Sequence, residues 1–157
     1  DEEVELEPLL RQCAAAACAH HQQPIEVISL NVQPAIVRGR SMALEMIFRN
    51  LMDNAVKYGA EDPRVDVEVV VVGGKVVARI ADNGAGVPID DRNKIFQLFF
   101  RGGSELERKR KGTGLGLYIV HTLVRKLKGR VSVHGRGKLP GAVFEVELPG
   151  QIGRAHV

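Results

Sequence analysis

"VDVEVVVVGGKVVARIADNGAGVP", residues 65–88, decides how the chain is to be read. Val65, Val67, Val69 and Val71 recur at every second position, the spacing of one face of a strand. Gly73-Gly74 then supplies a two-residue hairpin turn, and Lys75 to Ala81 returns antiparallel. Directly after it, Asp82-Asn-Gly-Ala-Gly-Val-Pro88 sets a carboxylate at the mouth of the strand and follows it with backbone that has lost its side chains. Taken locally this is a turn, because Asp, Asn, Gly and Pro are the commonest turn formers. Bare backbone beside a carboxylate is equally what lets a bound group come close. The stretch alone leaves both readings open.

Outward from the hairpin, strands and helices alternate irregularly. Glu7-Pro8 predicts a helix start, with Pro at the first helical position, running to about His20. Glu26 to Val32 and Ala35 to Arg38 read as short strands separated by Gln33-Pro34. Ser41 predicts the cap of a long helix to about Tyr58, closed by Gly59. Beyond the hairpin, the pattern predicts a short helix around Asp90 to Leu98, a polar stretch over 101–111, a helix from Thr113 to Lys128 stopped at Gly129, and strands at Val131 to His134 and Ala142 to Leu148. Hairpins in place of repeated crossover units favour an α+β two-layer sandwich over a doubly wound sheet. One domain over residues 1–150 is expected, with 151–157 as a tail, a frayed end or an added remnant.

Composition bounds the function classes. The 157 residues are 45% hydrophobic and 26% charged, ordinary for a globular domain with a real core. No apolar run approaches the roughly 18–20 residues of a membrane span, and the acidic start Asp1-Glu2-Glu3 is unlike a signal peptide. Cys13 and Cys18, five apart on one helix, cannot bridge each other, so a reduced, cytoplasmic setting fits best. The net charge is only +3, yet residues 101–130 hold nine Lys or Arg against two Glu, which gives that segment an anionic partner to expect. It lacks the interleaved aromatics of a nucleic-acid binder, Tyr118 alone following it, so no nucleic acid is expected.

Two further constellations carry chemistry. On the helix from Ser41, Leu44, Phe48, Leu51, Met52, Ala55 and Val56 gather on one side, while Asn50, Asn54 and Lys57 share an arc of roughly 60° on another, with Tyr58 at its edge. An amide oxygen is a hard neutral ligand that suits Mg²⁺ beside nucleotide phosphates; a plain solvated face is the competing reading. In "KGTGLGLYIV", residues 111–120, Gly112, Gly114 and Gly116 run straight into a helix, the arrangement in which backbone N–H groups cradle phosphate, or a flexible loop that merely ends in a helix. The Walker spacing, the third glycine of the dinucleotide fingerprint and the eukaryotic protein kinase set are all missing.

In this order, "NLMDNAVKYG", "DNGAGVP", "IFQLFFRG" and "GTGLGLYIV" resemble the N, G1, F and G2 boxes of the ATP-binding catalytic domain of bacterial sensor histidine kinases. The resemblance implies the Bergerat fold, a mixed and mainly antiparallel sheet with helices on one face, binding ATP and Mg²⁺. By it, Asp82 accepts a hydrogen bond from the adenine amine, Gly84, Gly86 and Val87 pass close to the base, Asn54 holds Mg²⁺ with Asn50 beside it, and Lys57 and Tyr58 reach the phosphate and ribose side. Lys111, Gly112, Thr113, Gly114, Leu115 and Gly116 then shape the triphosphate loop, 101–111 is a lid with Arg101 and the Arg108 to Lys111 run as candidate phosphate contacts, and Phe96, Phe99 and Phe100 dock it. A solvated basic loop that touches nothing is the alternative for each of these cations.

One residue separates relatives within this fold. The hydrolytic members and the serine kinases carry a Glu general base four residues before the metal-binding Asn, where this chain has Asn50. An amide cannot take a proton at neutral pH, whereas a histidine acceptor needs no such help. The family's phosphorylated histidine lies in a separate dimerisation domain, and none of His20, His21, His121, His134 and His156 stands in its context. The resemblance therefore implies a kinase half-enzyme whose partners are that domain and a response regulator, with a membrane anchor on the parent left open. A module that keeps the fold for nucleotide sensing alone is the alternative. Arg40-Ser41 departs from the acidic residue that opens this helix in many relatives, which puts a local cap in doubt.

Overall fold

The computed structural model describes residues 2–100 and 115–154. Strand β1 (Glu2–Glu5) leads into helix α1 (Leu6–His20), a 3₁₀ turn at Ile25–Val27, β2 (Ile28–Val32), β3 (Ala35–Gly39) and helix α2 (Ser41–Lys57). The hairpin follows as β4 (Val65–Val72) and β5 (Lys75–Asp82), then a 3₁₀ turn at Ile89–Asp91, helix α3 (Gly116–Lys126), β6 (Arg130–Arg136) and β7 (Leu139–Ile152). The sheet has seven strands in the order β1-β3-β7-β5-β4-β2, with β6 on β7. Its ladders are antiparallel except β2 on β4, so the sheet is mixed and mainly antiparallel as expected. Among the described residues no helix is long and apolar enough to cross a membrane.

The hairpin forms as its sequence dictates. Gly73 and Gly74 both take positive φ, 54° and 77°, the type I′ geometry whose twist matches the flanking strands. The ladder runs from Val72↔Lys75 to Val65↔Asp82. Period-two alternation buries Val65, Val67 and Val69 on β4 and Val76, Ala78 and Ile80 on β5. Against that face α2 sets Leu44, Ile47, Phe48, Leu51, Met52, Ala55 and Val56, all buried. The other face carries ion pairs, Arg79 Nε reaching Glu145 at 2.8 Å and Nη1 reaching Glu68 at 3.4 Å. Cys13 and Cys18 are free and buried, and burial first, then Glu45, pushes the Cys13 thiol up to about 11, so it stays protonated.

Several boundaries differ from the sequence reading. Helix α1 starts at Leu6, placing Pro8 third in the helix, still within the first turn where an N–H has no intrahelical acceptor. Residues 25–27 form a 3₁₀ turn in place of the first half of the expected Glu26 to Val32 strand. The expected helix at Asp90 to Leu98 is only the Ile89–Asp91 turn followed by further turns: Phe96 is buried and Ile95 packs partly against the core, whereas Ile89, Leu98 and Phe99 stay exposed, so the apolar residues form no continuous face to hold a helix. Lys128, not Gly129, takes the left-handed conformation after α3. Strand β7 runs past Pro149-Gly150 to Ile152, with Gln151 and Ile152 paired to Ile36 and Ala35.

Ser41 does not cap α2. Arg40 occupies the N-cap without a side-chain bond, and the cap comes from another strand: Glu2 Oε1 accepts from Ser41 N at 3.3 Å and from Ser41 Oγ at 3.0 Å. An anion at a helix N-terminus is also favoured by the helix dipole. Strand β1 had no sequence signal, and this contact gives its acidic residues a use. Glu2→Gln is expected to lower stability by about 0.5–1 kcal/mol at low ionic strength and less at high salt. Urea titrations of Glu2→Gln, Ser41→Ala and the double variant check it, with losses that fail to add if the two residues act through one bond.

Candidate functional site

Asp82 closes β5, and the alternation along that strand turns its side chain to the buried face. It is 5% exposed, and among the described residues it is the one buried polar or charged side chain. Burial pushes its carboxyl up from the ordinary 3.8, while the N–H groups of Gly84 and Ala142 and the charge of Arg136 pull it back. Oδ1 accepts from Gly84 N at 2.8 Å and from Ala142 N at 3.3 Å. The first of these is an Asx turn, so the turn reading of this stretch is correct as local geometry. Among the described residues no hydrogen bond is made to Oδ2.

The loop after Asp82 lies on the end of α2. A Cβ on Gly84 would sit 2.0 Å from the Tyr58 carbonyl oxygen, so only glycine admits this approach. Asn83 staples the same junction, Oδ1 accepting from Ala60 N and Arg64 N at 3.1 Å each and Nδ2 donating to Asp62 O at 3.0 Å. Gly86 takes φ +82°, and the Gly141 carbonyl oxygen lies 3.0 Å from where its Cβ would be. Val87 is partly buried against the core, with its carbonyl accepting from Arg92 Nε at 3.0 Å.

The polar face of α2 meets this loop at one end and α3 at the other. Asn50 donates to Met46 O at 2.7 Å, and its Oδ1 lies 3.0 Å from where a Cβ on Gly116 would be. Asn54 is half-buried, and its side chain makes no hydrogen bond to the described residues. Lys57 Nζ stands 5.3 Å from the centroid of the half-buried Tyr58 ring. Leu115 is the N-cap of α3, with no side-chain cap bond among the described residues. Arg101, Lys111, Gly112, Thr113 and Gly114, with the expected lid over 101–111, lie outside the described residues. Of the three phenylalanines, Phe96 is buried between His121, at a ring distance of 5.9 Å, and Phe144, at 6.1 Å, whereas Phe99 is exposed and Phe100 half-buried.

Among the described residues no group of three or more His, Cys, Asp or Glu could hold a metal. A neutral amide that makes no hydrogen bond to the described residues fits a hard cation that keeps its waters and takes its remaining ligands from phosphate. Sequence reasoning missed Asn83, Arg136, Gly141 and Ala142. Asn83 had a signal, since Asn in such a loop bonds nearby backbone; the other three are brought in from β6 and β7 by the fold alone.

Because the folded carboxyl is raised above its unfolded value, its charge costs stability once pH rises through the interval between the two. Asp82→Asn keeps an oxygen for Gly84 and Ala142 and removes that charge. The variant is expected to melt no lower than the parent at pH 7, its advantage shrinking as pH falls through the raised carboxyl range, yet to bind ATP about 10- to 150-fold more weakly, the worth of one charged hydrogen bond. Thermal melts over pH and calorimetry with ATP check the pair. Unchanged ATP affinity would leave Asp82 a turn residue.

Residues 39–152 match the family described as histidine kinase-, DNA gyrase B-, and HSP90-like ATPase. Sensor protein CiaH of Streptococcus pneumoniae is 36% identical over 107 residues, 68% of this chain and 24% of CiaH. The chain thus spans about a quarter of the length of that relative. The solved mycobacterial sensor histidine kinase MprB superposes with a TM-score of 0.84 at 28% identity, covering 96% of this chain and 98% of the other. Full-length ShkA, solved in complex with AMPPNP, gives a TM-score of 0.75 at 31% identity over 98% of this chain and 32% of ShkA. The chain belongs to the histidine kinase-, DNA gyrase B-, and HSP90-like ATPase family, as an ATP-binding domain of the sensor histidine kinase type.

Proposed function

We propose that this domain holds Mg-ATP and presents its γ-phosphate to a histidine on a separate dimerisation domain, for relay to a response regulator in the cytoplasm. The observation that carries the reading is the buried Asp82 carboxylate, with Oδ1 committed to backbone, set against the end of α2 that bears Asn54, Lys57 and Tyr58. A buried anion whose Oδ2 takes no hydrogen bond from the described residues is matched by a ligand that donates there, and the exocyclic amine of adenine is such a donor. Gly84, Gly86 and Val87 would flank the base, Lys57 and Tyr58 the sugar and phosphates. The start of α3 at Gly116 would take phosphate oxygens through the N–H groups of its first turn, which have no intrahelical acceptor. Arg101, Lys111, Gly112, Thr113 and Gly114 are proposed to complete the phosphate side.

Asn54, with Asn50 beside it, would hold Mg²⁺, which when bound neutralises charge on the transferring phosphoryl group. Asn50 offers no base. Its Nδ2 is spent on Met46 O, and its oxygen, packed beside Gly116, is an amide that cannot accept a proton at neutral pH. What the chain supplies is therefore orientation: adenine at Asp82 and phosphates between α2 and α3, with an amide on α2 where a base would stand. A neutral imidazole is already a nucleophile, so transfer to histidine requires positioning alone.

Asn54→Ala is expected to abolish most of the Mg²⁺ dependence of nucleotide binding while leaving the metal-free affinity within about 3-fold of the parent, read by titrating an ATP analogue with Mg²⁺ and with EDTA. Unaltered Mg²⁺ dependence would remove Asn54 from the metal site. Incubated alone with γ-labelled ATP, the domain is expected to stay unlabelled and to turn over slower than about one per second. Supplying the cognate dimerisation domain should then give label on that domain that acid removes. Acid-stable label on this chain, or fast hydrolysis, would instead place it with the serine kinases or the hydrolases.

A further inference from the structure

The backbone carbonyl of Asp82 has its own partner. The β5–β7 ladder ends at Ala81↔Val143. One residue further the Ala142 N–H is diverted to the Asp82 side chain, and Gly141, at φ +114°, lies so close that a Cβ there would be 1.8 Å from the Asp82 carbonyl oxygen. The strand partner that would normally donate to that carbonyl is thus used elsewhere. Arg136 takes its place: Nη1 donates to Asp82 O at 3.0 Å and to Pro140 O at 3.3 Å, while Nη2 is 3.4 Å from Asp66 Oδ2. The side chain is 18% exposed. One guanidinium therefore joins the start of β4, the end of β5 and the start of β7.

We propose that Arg136 is a positioning residue for nucleotide binding, whose guanidinium fixes the Asp82 backbone so that the carboxylate is presented to the adenine amine. The proposal rests on the reading of Asp82 as the adenine acceptor. Three contacts in two directions need the planar fork of an arginine, which a lysine cannot reproduce. The cation also acts on the carboxylate itself. Of the charged groups around Asp82, Arg136 is the one that favours its ionised form, with Asp66 on the far side of the same guanidinium. Removing Arg136 thus loosens the carboxylate and makes it easier to protonate, and a protonated Asp82 offers adenine a weaker acceptor.

These two effects separate by pH, which a purely structural role would not do. ATP binding to the parent, Arg136→Met, Arg136→Lys, Asp82→Asn and the Arg136→Met/Asp82→Asn pair is measured by calorimetry from about pH 5 to pH 8. Arg136→Met is expected to bind ATP about 5- to 30-fold more weakly near neutrality, with the acid limb of its binding curve displaced to higher pH. Arg136→Lys, which keeps the charge and loses the fork, is expected to bind about 3- to 10-fold more weakly with the acid limb of the parent. In the Asp82→Asn background the displacement of the acid limb should vanish. If Asp82→Asn weakens binding but Arg136→Met retains the parent's affinity and acid limb, Arg136 is not a positioning residue and the site reading stands. If Asp82→Asn itself binds like the parent, the site reading falls and the inference with it. Should Arg136→Met melt below the temperature of the measurement, Arg136→Lys decides, and parent-like affinity there overturns the proposal.

Discussion

A single carboxylate charge taken out of water at the end of β5 governs the arrangement around it. Burying an ionised group is costly unless donors replace the lost hydration. Here the donors are backbone N–H groups two and sixty residues away, with an arginine from β6 on the carbonyl of the same residue. Each constrains its own neighbourhood. Gly84 has to be bare to lie on Tyr58, Gly141 has to be bare to lie on Asp82, and β7 has to stop pairing with β5 at Val143 so that Ala142 can face the side chain. The central position of β5, laddered to β4 on one side and β7 on the other with α2 across it, gives this cluster three rigid walls.

What could be read in the sequence follows from periodicity and punctuation. The β4–β5 hairpin was legible because alternating valines and a Gly-Gly turn state the same thing at two levels, and α2 was legible because its apolar residues fall on one side at helical spacing. Strand β1 was not, since Glu-Glu-Val-Glu has no strand pattern and owes its state to pairing with β3. The parallel ladder of β2 on β4 was equally invisible, because register between distant strands is written in neither of them. At the site, Asp82, Gly84 and the α2 asparagines were legible as residue types at telling positions. Arg136 was not, because its contact with Asp82 spans 54 residues and nothing in "HGRGKLPG" announces it.

Helix α2 divides the work of the molecule. Its apolar side closes the core, and that packing fixes the rotation of the helix about its axis. The rotation in turn determines where Asn50, Asn54 and Lys57 lie, so a loss of core packing would be felt as misplacement at the polar face before it was felt as unfolding. Its polar side is tied to two different partners, Gly84 of the loop after β5 at Tyr58, at the helix end, and Gly116 of α3 at Asn50, in its middle. A ligand that bridges those two partners would therefore be held along the polar face of one helix, and errors in its position would come only from the two loops.

That geometry also bears on stability. In the free protein the Asp82 charge raises the energy of the folded state, because burial works against ionisation. A ligand that donates to the carboxylate removes part of that cost on binding, and anything that binds the folded state alone stabilises it by mass action. The cost is not spread over the fold. It sits where β5 leaves β7, at the one end of the ladder where Gly141 and Arg136 substitute for regular pairing. Local opening at this end needs only the loss of those few contacts, whereas the hairpin and α2 must stay closed to keep the core dry. On the proposed reading, the nucleotide site is thus held in an energetically poorer state than the core without weakening the core, and a ligand donating to Asp82 would make up the difference.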